Sequence, residues 1–236
     1  MKNPFNRWHP KIALRYLPIV EEIKKNSINS PKVLEVGSGS LGIAPYLKLP
    51  VTGVDVDFTG PKFSLLRQVY GKATVLPFPD KSFDFAVMVD VLEHLPRQER
   101  AKAISEALRC ARNKAFIAVP CGKLSFNQDK ELDLQYQKIF GRPFPFLKDH
   151  LTYGLPEKEW VSDTIRSEAD KLGKEVKIKA VGNINLTFRK FLMWGWMSKN
   201  SIIDFIFRKV FLLLIPVFRR INCEPTYRQI FFVKIR

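Results

Sequence analysis

Val33-Leu34-Glu35-Val36-Gly37-Ser38-Gly39-Ser40-Leu41-Gly42 decides how this chain folds. A short apolar strand runs straight into three glycines. Glycine admits positive φ and leaves the backbone bare for a ligand, and a helix after such a loop offers unpaired N–H groups. A second apolar run, Val51–Asp55, ends on a carboxylate eighteen residues past Gly37. In doubly wound sheets an acidic group there accepts hydrogen bonds from a ribose diol. The loop and Asp55 together predict an adenosine-type cofactor lying across the carboxyl ends of the strands.

Working outward, Phe83–Asp90 and Lys114–Pro120 are two further runs rich in Val, Phe or Ile. Their near-continuous apolar character suits strands covered on both faces. Arg97–Arg112 follows Pro96 and carries Ala101, Ile104, Ala107, Leu108 and Ala111 on one helical face. A later helix opens after Pro156, has Val161, Ile165, Ala169 and Leu172 as its stripe, and stops at Gly173. An N-terminal helix is expected around Tyr16–Lys25. Strand–helix alternation predicts a doubly wound α/β domain. The chain reads as one domain, 1–236, with a helix in 1–31, a cofactor-binding core over 32–182, a helical cap or insertion over 183–222 and a closing strand over 223–236.

Two cofactors fit the glycines. A dinucleotide would use Gly37, Gly39 and Gly42, with its pyrophosphate at the helix start, in a nucleotide-dependent oxidoreductase. S-adenosylmethionine would use Glu35 as well, whose carboxylate stands where it orients the cofactor's ammonium group. A carboxylate inside an apolar strand is awkward without such a partner, because an unpaired buried charge is expensive; a Glu at the strand end that simply reaches solvent is the alternative.

Val33–Gly39 resembles the first motif of class I S-adenosylmethionine-dependent methyltransferases. Leu76-Pro77-Phe78-Pro79-Asp80-Lys81-Ser82-Phe83-Asp84 resembles the loop-and-strand motif of the ubiquinone/menaquinone-biosynthesis-type subgroup, and Val89-Asp90-Val91-Leu92-Glu93-His94-Leu95 continues it. The resemblance spans roughly residues 32–120 in the family's order and spacing. It implies a Rossmann-like, mostly parallel sheet of about seven strands with an antiparallel last strand, plus a helical C-terminal insertion. Val176–Val181 would be the sixth strand and Tyr227–Ile235 the closing one. It also implies S-adenosylmethionine, with Glu35, Gly37, Ser38 and Gly39 around its methionine part and Asp55 on the ribose. Val56 would pack on the adenine, the Ala73 backbone would meet the adenine edge, Leu76 would join the cofactor set, and Asp90 would lie near the sulfonium. Lys72 stands where the family often has Asp. Lysine only donates, so it cannot accept from the adenine amine.

Methyl transfer from a sulfonium already has a good leaving group, so holding the nucleophile in line and excluding water supplies much of the rate. A general base is needed only where the acceptor must lose a proton early. His94, just past the fourth strand, is the local candidate for that base; ordering the next helix is its structural alternative. His150 and Tyr153, in Asp149–Pro156, are candidate acceptor contacts, with turn packing as the alternative. Three dispersed histidines and no His/carboxylate cluster in the sequence predict no metal.

The chain carries 39 Lys+Arg against 23 Asp+Glu, a net +16, which points to an anionic partner. Residues 183–236 hold +8 of this and residues 1–31 hold +4, so the central core is only mildly basic. Within 186–221, Trp194, Trp196 and a wide stripe from Ile202 to Val217 stand among the basic pairs Arg189-Lys190, Arg208-Lys209 and Arg219-Arg220. The longest apolar run there, Val210–Phe218, falls well short of the roughly 20 residues that span a bilayer. It suits a surface lying against anionic lipid, or else a cap over the substrate cleft or a dimer face. Aromatics in such aliphatic company argue against a nucleic-acid grip. Cys110, Cys121 and Cys223 form no C-x-x-C pair, which argues against a disulfide framework or a zinc ribbon. No apolar signal core opens the chain, so the cytoplasm is expected. The expected activity is methyl transfer to a small or lipid-linked acceptor; a non-catalytic cofactor-binding scaffold at a membrane is the alternative from outside enzymes.

Overall fold

The glycine loop leaves the sheet from its centre. Strand β1 (Val33–Val36), buried at all four residues, pairs in parallel with β2 (Val51–Asp55) on one side and β4 (Phe83–Val89) on the other. This computed structural model describes residues 8–26 and 28–236. Adding β3 (Leu66–Tyr70), β5 (Ala111–Pro120), β6 (Val176–Asn185) and β7 (Thr226–Ile235) gives a sheet of order β3-β2-β1-β4-β5-β7-β6. The strands β1 to β5 are parallel, and β7 enters antiparallel between β5 and β6, as the resemblance implied. The sequence alone gave no sign of β3: at the sheet edge only Leu66 is buried and Tyr70 faces water, so its apolar signal is weak.

Successive residues of β4 point to opposite faces. Phe85, Val87 and Val89 enter one core with helix α1 (Pro10–Lys24) and α2 (Ala44–Leu47). Ala86 and Met88 enter the other, with α3 (Arg97–Cys110). After β5 come α4 (Gly122–Phe140), α5 (Lys148–Tyr153) and α6 (Lys158–Lys171), and α6 packs beside α3. Between β6 and β7 the chain makes α7 (Leu186–Trp196), α8 (Ser201–Arg208) and α9 (Ile215–Phe218), whose Leu192, Phe207 and Ile215 join the α1 core.

Three expectations are corrected. Helix α1 begins six residues earlier than Tyr16, because Pro10 suits the first turn and the His9 ring accepts the Lys11 N–H. Pro18 inside it removes the N–H that would meet the Leu14 carbonyl, and Asn183 Nδ2 donates there instead at 3.2 Å. Helix α4 was not foreseen: its inner face buries Ser125, Gln128, Asp129 and Asp133, and its apolar stripe, Leu132, Tyr136 and Ile139, is confined to the second half. The stripe Ile202–Val217 is not one helix but α8, a 3₁₀ turn over Val210–Leu212 and α9.

Candidate active site

The loop after β1 is held by its own strand neighbours. The Gly37 N–H donates to the Val54 carbonyl at 2.7 Å, and the Gly39 N–H to Asp55 Oδ2 at 2.7 Å. Asp55 Oδ1 accepts the Asp57 N–H, which fixes the carboxylate at the carboxyl end of β2. Gly37, Gly39 and Gly42 all have positive φ. A methyl group on Gly37 would strike Val91 and one on Gly42 would strike the Glu35 carboxylate, whereas one on Gly39 would meet only open space. Gly39 is thus the point where bare backbone faces a cleft, beside Asp55 and the exposed side chain of Val56.

Glu35 is completely buried. Its Oε2 accepts the Ile43 N–H at 2.7 Å and closes the loop, while Oε1 has no partner among the described residues. Burial pushes its carboxyl up to about 7, against the pull of the Ile43 N–H and the nearby Tyr16 hydroxyl. The sequence reading had a helix presenting free N–H groups directly after the glycines. Instead α2 starts only at Ala44, is four residues long, and the Ile43 N–H just before it is taken by Glu35. The Gly37, Gly39 and Ile43 N–H groups are all engaged within the protein, and Pro45 removes another from the first turn of α2, which weakens the dinucleotide reading. Ala73 lies in the turn Lys72–Val75 with Lys72 exposed. Leu76 is buried in the core, and its N–H donates to Glu106 Oε2.

Asp90 follows β4 with φ of +54° and lines a cavity of about 410 Å³, and the next residue, Val91, packs against Gly37 of the glycine loop. Two guanidinium groups share its carboxylate: Arg228 at 2.5 and 2.6 Å, and Arg15 at 2.9 Å. Burial alone would raise Asp90; the two arginines outweigh it and hold the group at about 2. Sequence reasoning missed both partners, because Arg15 and Arg228 lie near opposite ends of the chain and outside every recognised motif.

The cavity is otherwise walled by α1, α7, α5 and the segment before it. Lys11 Nζ sits 4.2 Å from the Trp196 ring centre and 3.7 Å from Met193 Sδ. Burial, then the charges of Arg15, Arg189 and Arg208, lower this lysine to about 7. Burial likewise lowers His9 to about 4, and its Nε2 has no partner among the described residues. Phe144, Leu147 and Leu192 supply an apolar wall.

His94 ends a 3₁₀ turn, Leu92–His94, and its Nδ1 lies 3.1 Å from Asp149. Burial, then the neighbouring His150, lowers its pKa, so the ring is neutral at pH 7. His150 is buried on α5, with Nδ1 2.8 Å from Asp129. Both histidines line the cavity, and Glu93 lines it beside them. The expectation of dispersed histidines without a carboxylate cluster is therefore corrected: the fold gathers Glu93, His94 and His150. Burial, then the charge of Asp90, raises Glu93 well above the usual carboxylate range. Tyr153 does not line the cavity; its carbonyl instead accepts from Arg97 and Arg100.

Residues 34–119 match the family model described as a methyltransferase domain. No curated protein sequence matches the chain. Among solved structures, an S-adenosylmethionine-dependent methyltransferase of Thermotoga maritima, described as a possible histamine N-methyltransferase, superposes with a TM-score of 0.54 at 18% identity, covering 98% of this chain and 95% of that one. The magnesium protoporphyrin IX methyltransferase of Synechocystis, with bound S-adenosylhomocysteine, gives 0.54 at 12% identity over 95% and 83%. A phosphoethanolamine N-methyltransferase of Haemonchus contortus, in complex with S-adenosylmethionine, gives 0.55 at 15% over 93% of this chain and 51% of that one. The chain has a Rossmann-like methyltransferase fold, and two of these structurally similar proteins hold S-adenosylmethionine or S-adenosylhomocysteine. The cradle fits S-adenosylmethionine: bare backbone at Gly39, a fixed carboxylate at Asp55 and an exposed apolar side chain at Val56.

Proposed function

We propose that this protein transfers a methyl group from S-adenosylmethionine to a small or lipid-linked acceptor carrying an anionic group. The observation that carries the reading is the open cradle at Gly39 and Asp55 beside the cavity that Asp90 enters. Asp55 would hold the ribose, Gly37, Ser38 and Gly39 the methionine part, and Val56 the adenine face. The cavity suits the acceptor: its volume is of the order of a small-molecule site, its wall is partly apolar, and among the described residues no carboxylate lies within ion-pair distance of Lys11. When bound, the cofactor supplies an electrophilic methyl group on a sulfonium. The chain's residues then orient the acceptor and exclude water, and neutral His94 stands ready to take a proton if the acceptor must lose one.

Incubating the protein and cell extract with methyl-labelled S-adenosylmethionine, then partitioning the label among lipid, small-molecule, nucleic-acid and protein fractions, tests the activity. Label is expected in the lipid or small-molecule fraction. Absence of any product from a protein that binds the cofactor would favour the scaffold alternative. Calorimetry tests the cradle directly: Asp55→Ala should weaken S-adenosylmethionine binding at least tenfold, and unchanged affinity would refute the assignment.

A second surface supports membrane contact. Trp194, Ile202, Phe205, Leu213 and Val217 are all more than half exposed, beside Lys199, Arg208 and Arg220. Apolar side chains of this size flanked by cations suit the boundary of an anionic bilayer. No helix among the described residues is long and apolar enough to cross one. A cytoplasmic protein that rests on the membrane through 186–221 is the reading we favour.

A further inference from the structure

His94 and His150 come from different elements, yet their rings meet edge to face with centres 5.0 Å apart. Each has the same kind of partner behind it. Asp149 Oδ2 lies 3.1 Å from Nδ1 of His94, and Asp129 Oδ2 lies 2.8 Å from Nδ1 of His150. A carboxylate on Nδ1 fixes the proton there and leaves the Nε2 lone pair free, which is how ligating histidines are oriented around metals. Asp129 is itself steadied by Arg189 at 2.7 Å and by the Tyr227 hydroxyl at 3.0 Å, so the support is built in depth.

The third member is Glu93. Its side chain is fully buried, and neither carboxylate oxygen has a hydrogen-bond partner among the described residues. Oε1 lies 4.0 Å from His150 Nε2, too far for a hydrogen bond. Buried polar groups without partners are rare and expensive. A cation between Glu93 and the two imidazoles satisfies all three at once. One ligand atom from each of Glu93, His94 and His150 lies within 4.8 Å of the others. Ligands bound at about 2.1 Å stand roughly 3.4 Å apart around a tetrahedral ion, so closure by about an ångström of side-chain movement completes the set.

We infer that Glu93, His94 and His150 form a binding site for one divalent transition-metal ion of the zinc, cobalt or manganese class. Two imidazoles and one carboxylate favour these ions over magnesium or calcium, which prefer oxygen ligands throughout. The arginines nearby do not oppose it outright, since Arg15 and Arg228 are engaged by Asp90 and Arg189 by Asp129. Three protein ligands leave coordination positions open toward the cavity. Resting on the methyltransferase reading, those positions would take an acceptor hydroxyl. The metal lowers its pKa and its proton passes to solvent water. The oxygen's electron pair then forms the bond to the methyl carbon as the carbon–sulfur bond breaks, and sulfur keeps that pair as a neutral thioether. His94 is then a ligand and not the free base.

The test needs neither cofactor nor acceptor. The full chain, dialysed against chelator, is titrated with Co2+ and separately with Zn2+ by calorimetry, and the cobalt form is followed by visible absorbance. One ion per chain is expected, with ligand-field bands, and Glu93→Gln and His150→Ala should each weaken binding at least tenfold. His94→Gln, at a side chain 36% exposed, provides a variant with little risk to folding and should do the same. Separate calorimetry with S-adenosylmethionine shows which variants retain the cofactor cradle. Wild type that binds S-adenosylmethionine but no Co2+ or Zn2+ overturns the inference while leaving the methyltransferase reading intact. Metal binding that is unaltered in His94→Gln and in any cofactor-competent His150→Ala or Glu93→Gln overturns it equally.

Discussion

Arg228→Met removes a buried guanidinium that joins β7 to the end of β4 across the intervening β5. Arg228 is 3% exposed and makes both short contacts to Asp90, with a third bond to Asn183 at 3.2 Å. After the substitution Asp90 keeps only Arg15. Asp90 is held at about 2 against an ordinary 3.8, so its ionisation in the fold contributes about 2 kcal/mol at neutral pH. Truncating one partner of a buried pair also leaves desolvated groups behind, and such changes cost about 3–5 kcal/mol. We expect a loss of about 3 kcal/mol at pH 7, measurable against a total of about 5–15 kcal/mol for a domain.

The pH dependence separates this mechanism from simple loss of packing. A carboxylate whose folded pKa is depressed contributes stability above its unfolded pKa and loses it as pH falls through the folded value. In the wild type the contribution is complete at pH 6 and about half gone by pH 3. The penalty for Arg228→Met should therefore shrink as the pH is lowered from 6 to 3. Urea unfolding followed by tryptophan fluorescence gives both midpoints and slopes. The double variant Asp90→Asn/Arg228→Met should lose far less than the sum of its single changes. A penalty below about 1 kcal/mol at pH 7, or one unchanged at pH 3, or no coupling in the double variant, would refute the reasoning.

Two further changes probe separate parts of the molecule. Gly42→Ala puts a Cβ 1.9 Å from Glu35 Oε2 at a φ of +50°, so the carboxylate must leave the Ile43 N–H. We expect at least about 2 kcal/mol of destabilisation in urea melts and weaker cofactor binding; wild-type values for both would show that the loop is not closed by Glu35. Phe205→Glu combined with Leu213→Glu should abolish flotation with anionic vesicles at low salt while leaving the thermal midpoint nearly unchanged, since both side chains are already exposed. Wild-type protein that stays at the bottom of the gradient removes the membrane reading.

The central strands and the glycine loop were legible because their signals are local: apolar runs, positive-φ residues and a carboxylate at a fixed spacing. Asp55 stands at the carboxyl end of β2 where that spacing put it, with Gly39 bonded to it. What stayed hidden depends on contacts between distant residues. The first half of helix α4 has a polar inner face because Asp129 serves His150, Arg189 and Tyr227, so its hydrophobic period is limited to Leu132, Tyr136 and Ile139 near its end. His150 looked isolated because Glu93 and His94 reach it only after α5 folds back over the 3₁₀ turn behind β4. Tyr153, one turn further along α5, lies near the same helical face as His150, but it is the last residue of the helix, where its carbonyl accepts from Arg97 and Arg100 and its side chain stays out of the cavity lining.

The division between recognised and unrecognised sequence also divides the chemistry. The cofactor cradle lies wholly within residues 34–119, the segment that matches the methyltransferase domain. Of the charged groups in the cavity, Asp90 and Glu93 come from that segment, whereas Lys11, Arg15, Arg189, Arg208 and Arg228 all come from the two basic ends of the chain. Asp90 offers one negative charge to two guanidinium groups, and Lys11 has a thioether and an indole ring for company instead of a carboxylate. Positive charge is therefore in surplus where the acceptor would sit, and burial makes that surplus costly until an anion enters. A carboxylate or phosphate on the acceptor would relieve it and restore Lys11 to its charged form. The basic excess that first suggested a polyanionic partner thus has a more local use: part of it lines a single cavity, supplied by segments outside the matched domain.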